Sequence, residues 1–400
     1  MLNLQPMDKS LTDILMERPV EEIEAALDYF NAFPRHSRRK QDLVKALAVL
    51  FSEHPLDWLN ALMEGDLRLL ERLCDAGPDV PVDLIPSDYP MVTEVLHLAD
   101  FDKSGDPDIV VASIPAALYS IVSKNIAAVI ETKESNGDFD IERLTLGALH
   151  TYGVIPLSTF VDYVFARYDT IEEMQRFAAS LTKCPVLRLY QEEYKGVTYM
   201  ISPDVEDLED LMRKRRKLYK SIRNYARLEA DEYSRCGFNS PFCAFGEDRP
   251  EGKALRAMLY KVGYEDDELD YAMHSVWINS QYEPDDRNLD ILLAPVTHRD
   301  ADIETYEEFV ECAQIIITYA NTVPKWLLKG HSALQTGLMM YSLPDGYFQE
   351  EFEEYAGGEF SEELMKYFDN ANRVRPVYPD DPCPCGSGLS YRLCHGKYVS

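Results

Sequence analysis

The apolar positions of this chain recur mainly at spacings of three and four, the period of a helix with one buried face. Leu11, Ile14 and Leu15, then Val20, Ile23, Leu27 and Phe30, mark helices over 11–17 and 20–31. After a break at Phe33-Pro34, Leu43, Val44, Leu47 and Leu50 predict a third over about 41–51. Residues 57–130 continue as helices, broken by the proline-rich stretch 77–90 and by the acidic stretch 100–108. The most apolar run, 109–130, is interrupted by Pro115, Lys124 and Asn125 and reads as a buried core helix, not a membrane span.

From 139 to 202 the pattern changes to three helices and a hairpin. A helix over 141–152 stops at Gly153, a second covers 156–168, and Thr170-Ile171-Glu172-Glu173 forms a capping box that opens a third to about Leu181. Residues 186–191 and 197–202 alternate like strands around Lys195-Gly196. This is the order of a winged helix. A duplex reader would place basic and amide side chains on the third helix; here Gln175, Arg176 and Lys183 share it with Glu172 and Glu173, and the wing adds Glu192 and Glu193.

A helix predicted from 205 to about 233 carries the densest basic run, Arg213, Lys214, Arg215, Arg216, Lys217, Lys220, Arg223 and Arg227. Leu211, Leu218, Ile222 and Tyr225 form its apolar stripe. One reading is a face for RNA or DNA phosphates, with Tyr219 or Tyr225 available to stack. The other is internal charge balance, because Glu206, Asp207, Glu209 and Asp210 precede the run and suit the helix dipole. Helices are again predicted over 267–282, 302–320 and 349–368, with an irregular connector at 321–331 and a proline-rich linker at 370–381.

Composition narrows the classes. Hydrophobic residues make up 46% of the 400, enough to build cores in two or three domains. Seventy acidic against forty basic residues give a net charge of -30, which disfavours non-specific attraction of the whole chain to nucleic acid or anionic membranes. Met1-Leu2-Asn3-Leu4-Gln5-Pro6 has neither the charged start nor the apolar run of a signal peptide. The expected location is the cytoplasm, whose reducing conditions suit both scattered thiols and a thiolate metal site.

Chemistry-bearing patterns are few. Asp100, Asp102, Ser104 and Asp106 copy half a calcium loop, but its twelfth position is Val111, so an acidic turn is expected and no calcium. Cys236 and Cys243 are too few for a metal site and read as buried thiols. No nucleophile elbow, zinc-protease or dinucleotide motif occurs, and His97, His150 and His298 receive no catalytic role. The tail is different. Cys383-Pro384-Cys385-Gly386-Ser387-Gly388, Tyr391 and Cys394-His395-Gly396 place three thiols and an imidazole in thirteen residues. Four such ligands complete a tetrahedral zinc shell and leave no open position, which makes the site structural.

The tail resembles the SEC-C zinc motif, typically C-P-C-G-S-G-x-x-[YF]-x-x-C-[CH]-G, which also ends the preprotein-translocase ATPase. The resemblance covers 382–397 and implies Cys383, Cys385, Cys394 and His395 as ligands of Zn2+. In place of the lysines that often flank the family's aromatic stand Leu389, Ser390, Arg392 and Leu393, and no phosphate-binding loop of the translocase motor is present. At the other end, a short helix, a basic link and Lys40-x-x-Leu43-Val44-x-x-Leu47 resemble helix-extended-helix modules of the SAP and Rho-N type. That resemblance implies a phosphate-facing cluster of Arg35, His36, Arg38, Arg39 and Lys40; the alternative is a solvated charged turn.

The expectation is therefore a mainly α protein: a multi-helical body with a winged-helix-like segment containing one small β-hairpin, plus a small zinc-stapled C-terminal module. The segments are 1–55 (helix-extended-helix), 56–137 (helical), 138–203 (winged-helix-like), 204–369 (helical and acidic), 370–381 (linker) and 382–400 (SEC-C). The leading functional reading is a non-enzymatic zinc protein whose tail engages a protein or ribonucleoprotein partner. The alternatives are a nucleic-acid-binding regulator using the N-terminal link and the 213–227 helix, and an enzyme with an unrecognised site in the helical body.

Overall fold

The computed structural model describes residues 10–34, 38–84, 98–102, 111–166, 168–227, 246–283, 286–297 and 303–350, together with Thr93, Leu96 and Phe352. Helices dominate these residues, and the strands form two small antiparallel sheets.

The first helices form where the periodicity places them. Helix α1 (Leu11–Glu17) is closed by a capping box in which the Ser10 hydroxyl accepts from the Asp13 backbone N–H and the Asp13 carboxylate accepts in return. It packs with α2 (Val20–Tyr29) against α3 (Lys40–Glu53). Helices α4 (Pro55–Leu59) and α5 (Glu64–Ala76) follow. Trp58 of α4 is fully buried against Phe30 and Phe51, its indole N–H donating to the Phe51 carbonyl at 3.2 Å.

The next segment differs from the helical expectation. Strands β1 (Val82–Asp83), β2 (Asp100–Asp102) and β3 (Val111–Ser113) make a sheet in the order β1-β3-β2. The apolar run 109–130 is thus not one helix but the end of this sheet followed by α6 (Ala116–Val122) and α7 (Ile126–Asn136). Pro115 and Asn125 stand at the N-caps of the two helices, so two of the three interruptions in the run are helix starts, and Lys124 lies in the turn between the helices.

Helix α8 (Asp138–Tyr152) ends at Gly153, with φ at 63°. It leads into β4 (Val154–Pro156), α9 (Leu157–Phe165) and α10 (Ile171–Leu181), whose Thr170/Glu173 capping box forms as the sequence predicts. The expected strand over 186–191 is mostly α11 (Pro185–Leu189), because Pro185 suits a first helical turn and Val186 and Leu187 are buried together. The hairpin is β5 (Gln191–Tyr194) and β6 (Val197–Ile201). Lys195 and Gly196 both take positive φ at its tip, the geometry a two-residue turn requires. Strand β4 joins them in the order β4-β6-β5.

The second half comprises α12 (Leu208–Lys217), α13 (Pro250–Lys261), α14 (Asp266–Asn279), α15 (Asp286–Thr297), α16 (Tyr306–Thr322) and α17 (Ala333–Thr336). It builds its own hydrophobic core around Leu259, Trp277, Leu292, Phe309 and Ile316, while α1–α11 share another. Val154 belongs to the second core and Ala226 to the first, so each half lends the other a residue.

The connector 321–331 is irregular as expected, yet it is buried. Lys325, Trp326 and Leu328 are all nearly inaccessible. The Trp326 indole donates to the His150 carbonyl at 2.8 Å, and its ring lies against Gly153 so closely that a Cβ there would come within 2.6 Å of it. Lys325 Nζ donates to the Ser280 carbonyl at 2.7 Å and lies 5.5 Å from the Tyr341 ring centroid. Burial pulls its pKa well below the ordinary lysine value. Expected helix 349–368 lies outside the described residues apart from its first positions. No described helix is long and apolar enough to cross a membrane.

Candidate functional site

The basic run is the part of the sequence that the tertiary structure rearranges most. Helix α12 begins at Asp207, whose carboxylate accepts from the Asp210 N–H at 2.8 Å, and it carries acids in its first turn and four cations in its last. That charge order favours the helix dipole. The helix nevertheless ends at Lys217, not near 233. Beyond it the chain turns so that Ala226 accepts from the Tyr152 hydroxyl at 2.6 Å and donates to the Lys329 carbonyl at 3.0 Å. These long-range bonds outweigh the local helical preference of 218–227.

The expected phosphate contacts then separate into three kinds. Arg213 and Lys214 are balanced internally. Asp210 pairs with both, and Lys214 also lies 3.0 Å from Glu283. Partial burial works against ionisation of Asp210, but hydrogen bonds from Arg213 and Lys214 hold its carboxyl below the ordinary range.

Arg215 is a correction to the sequence reading: it is buried and presents nothing to a phosphate. Its guanidinium donates to the carbonyls of Trp326 (2.8 Å), Val154 (2.8 Å) and Tyr152 (2.7 Å), and to the Tyr225 hydroxyl at 3.2 Å. Only the planar five-donor fork of arginine can serve acceptors on so many sides. The residue is a staple between the two cores.

Arg216, Lys220 and Arg223 form the third kind. They are exposed, and among the described residues no carboxylate lies within ion-pairing distance of them. Together with the hairpin they border a cleft of about 610 Å³. Tyr194, Lys195 and Tyr199 come from the hairpin, with Tyr225 and Lys329 also among its lining residues and Arg215 contributing from the staple. Lys217 is exposed but not among the lining residues. Burial and the neighbouring Arg215 lower the pKa of Lys329. The hairpin residues and Lys329 were not selected from sequence as site residues; the Lys195-Gly196 turn was the available signal, and Lys329 is brought close only by the fold.

The N-terminal cluster is not part of this cleft. Arg38 lies over the Phe33 ring at 4.0 Å and 3.9 Å from Glu24, Arg39 caps α3 and Lys40 begins it. Arg35 and His36 lie outside the described residues.

The four expected zinc ligands Cys383, Cys385, Cys394 and His395 also lie outside the described residues, as do Cys236 and Cys243. Among the described residues no group of three or more His, Cys, Asp or Glu side chains is arranged to hold a metal. Cys74, Cys184 and Cys312 are buried free thiols. Burial pushes Cys74 up to about 11 and Cys184 up to about 12, so neither is a reactive thiolate. His150 is buried edge-on to Trp277 at 5.4 Å, and burial lowers its pKa.

Comparison with known proteins addresses the tail. The family model described as the SEC-C motif, a family associated with zinc binding, matches residues 381–397. The chain therefore carries a SEC-C motif, in agreement with the ligand spacing. Protein translocase subunit SecA of Neisseria meningitidis (serogroup B, strain MC58) is 49% identical over 41 residues, 10% of this chain and 4% of the relative. SecA of Neisseria gonorrhoeae (strain FA 1090) matches to the same extent. The match thus spans about 4% of the length of these relatives. No solved structure matches the chain.

Proposed function

We propose that this is a non-enzymatic, cytoplasmic protein whose C-terminal module, 382–400, is a zinc-stapled recognition element for a protein or ribonucleoprotein partner. The observation that carries this reading is the coincidence of the SEC-C match with four ligand-type residues. Cys383, Cys385, Cys394 and His395 hold the ion, and zinc supplies the folding energy that so small a piece lacks in apolar burial. Their full complement leaves no position for a metal-bound water, so the module recognises and does not hydrolyse. The proline-rich linker 370–381 separates it from the body.

Within the body we assign 138–203 to a winged-helix-like unit, supported by the order α8, β4, α9, α10, β5, β6, with the short α11 inserted after α10, and by the strand order β4-β6-β5. The exposed residues of α10 mix Gln175 and Arg176 with Ile171, Glu172 and Glu173, and this acidic and apolar first turn is unsuited to the major groove of a duplex, so the unit serves as a scaffold. Residues 1–55 make the helix-extended-helix module and 204–369 the acidic helical region that completes the body.

The test is metal analysis of the full-length protein beside affinity capture from nuclease-treated and untreated lysate. About one zinc per chain is expected, lost in the Cys383→Ser/Cys394→Ser variant together with the captured partner. Undiminished zinc in that variant overturns the ligand assignment. Unchanged capture overturns the role of the tail.

A further inference from the structure

The cleft between the hairpin and the 216–225 segment is basic within an acidic chain. Although the chain has seventy acidic residues against forty basic ones, the described residues lining this cleft include Lys195, Arg216, Lys220, Arg223 and Lys329, and no aspartate or glutamate. Among the described residues, the acid paired with one of them is Glu209, 3.9 Å from Lys195. Gathering these cations at one cleft costs electrostatic energy that an anionic ligand would relieve.

The aromatic component narrows the ligand. Tyr194 and Tyr199 stand on the hairpin side with ring centroids 6.2 Å apart, and Val197, Met212 and Ile222 add apolar surface. Cations beside aromatic and apolar surface suit a chain that carries both phosphates and bases. An acidic peptide would use the cations and leave the tyrosine faces without a role. A duplex is disfavoured because α10 presents Glu172 and Glu173.

We propose that this cleft binds a single strand of nucleic acid, with Arg216, Lys220, Arg223 and Lys195 on its phosphates and Tyr194 and Tyr199 against its bases. Arg215 and Tyr225 are positioning residues: the guanidinium-to-hydroxyl bond between them, with the Arg215 bonds to both cores, fixes the floor. This surface is separate from the zinc tail and stands or falls without it.

Fluorescence anisotropy of full-length protein with labelled oligouridylate and oligothymidylate tests it. Binding is expected at low salt, weakening between about 50 and 200 mM salt with a log–log slope of about -2 to -3, as three or four phosphate contacts require. Arg216→Gln/Lys220→Gln/Arg223→Gln is expected to weaken it by about tenfold or more and to reduce the slope by about two. Lys195→Gln gives the same readout without touching the 216–223 segment. Tyr199→Ala is expected to cost about fivefold with little change in slope, the signature of lost stacking. Lys217→Gln, outside the cleft, and the Cys383→Ser/Cys394→Ser variant should bind like the parent. The proposal is overturned by absence of binding, by full binding in both the triple and the Lys195 variants, or by equal affinity for duplex. It is also overturned by equal competition from polyglutamate, which would make the cleft an acidic-peptide site, and by loss of binding in the cysteine variant alone, which would place the contact in the tail.

Discussion

Arg215 donates from Nε to the carbonyl oxygen of Trp326 across 2.8 Å, joining residues 111 positions apart in the chain. The same guanidinium reaches the carbonyls of Tyr152 and Val154, so one side chain binds the end of the first core to the connector that closes the second. Trp326 returns the link through its indole bond to His150. The two halves of the body are held together by polar bonds inside an apolar junction, where an unmade bond is expensive.

Arg215→Met is therefore expected to destabilise the body by about 3 kcal/mol or more, because several buried carbonyls lose their donor at once. Arg215→Lys should recover little of this, since one ammonium cannot span the acceptors. Denaturant unfolding of both variants checks the prediction, with Arg213→Gln expected to leave the midpoint near the parent's.

Gly153 and Trp326 make a second, steric test. Gly153→Ala adds a Cβ that meets the indole ring at 2.6 Å, on a backbone whose φ of 63° already disfavours a side chain. Gly196→Ala also takes a positive φ, but nothing lies within 4 Å of its added Cβ. The first substitution is expected to lower stability by clearly more than the second, which pays only a backbone cost of about 1 kcal/mol. Equal losses in thermal unfolding would show that the Trp326 contact gives way freely.

Lys325 supplies a pH dependence. Burial lowers its pKa in the folded state relative to the unfolded chain. The unfolded state then binds more protons between the two values, so stability rises with pH through that window and is lost as pH falls through the folded value. Lys325→Met removes the buried cation while keeping much of the side chain's length. The variant is expected to lack the alkaline rise, so its stability relative to the parent is greatest at neutral pH and declines towards pH 10.5, the ordinary lysine value. Urea unfolding across this range reads the difference; parallel pH profiles would refute the assignment.

Metal removal should act locally. Chelation is expected to strip zinc from 382–400 while shifting the unfolding of the body by less than about 0.5 kcal/mol, because the linker separates the two energetically. A large drop in body stability on chelation would mean that the tail packs on the fold.

The elements with local signals were the legible ones. Thr170 caps α10 and Gly153 stops α8, because caps and stops depend on a few neighbouring residues. The sheet formed by β1, β2 and β3 was missed, since its strands are only two or three residues long and carry no measurable alternation. At 186–191 the sequence alternates like a strand, but the consecutive residues Val186 and Leu187 are both buried, as the first turns of α11 allow.

The same division holds for the candidate sites. Spacing alone specifies the SEC-C motif, because its ligand-type residues lie within thirteen positions and their order carries the chemistry. The basic run could be counted from sequence but not sorted. Arg213 differs from Arg215 and Arg216 only through what stands opposite each one: Asp210, the carbonyls of Tyr152, Val154 and Trp326, or an open cleft. Local order determined the helices and the motif because their energetics are local. The pairing of Arg213 with Asp210, three residues away, is equally local; which cation became the staple and which came to line the cleft was decided by partners far away in the chain, and only folding brings those partners within bonding distance.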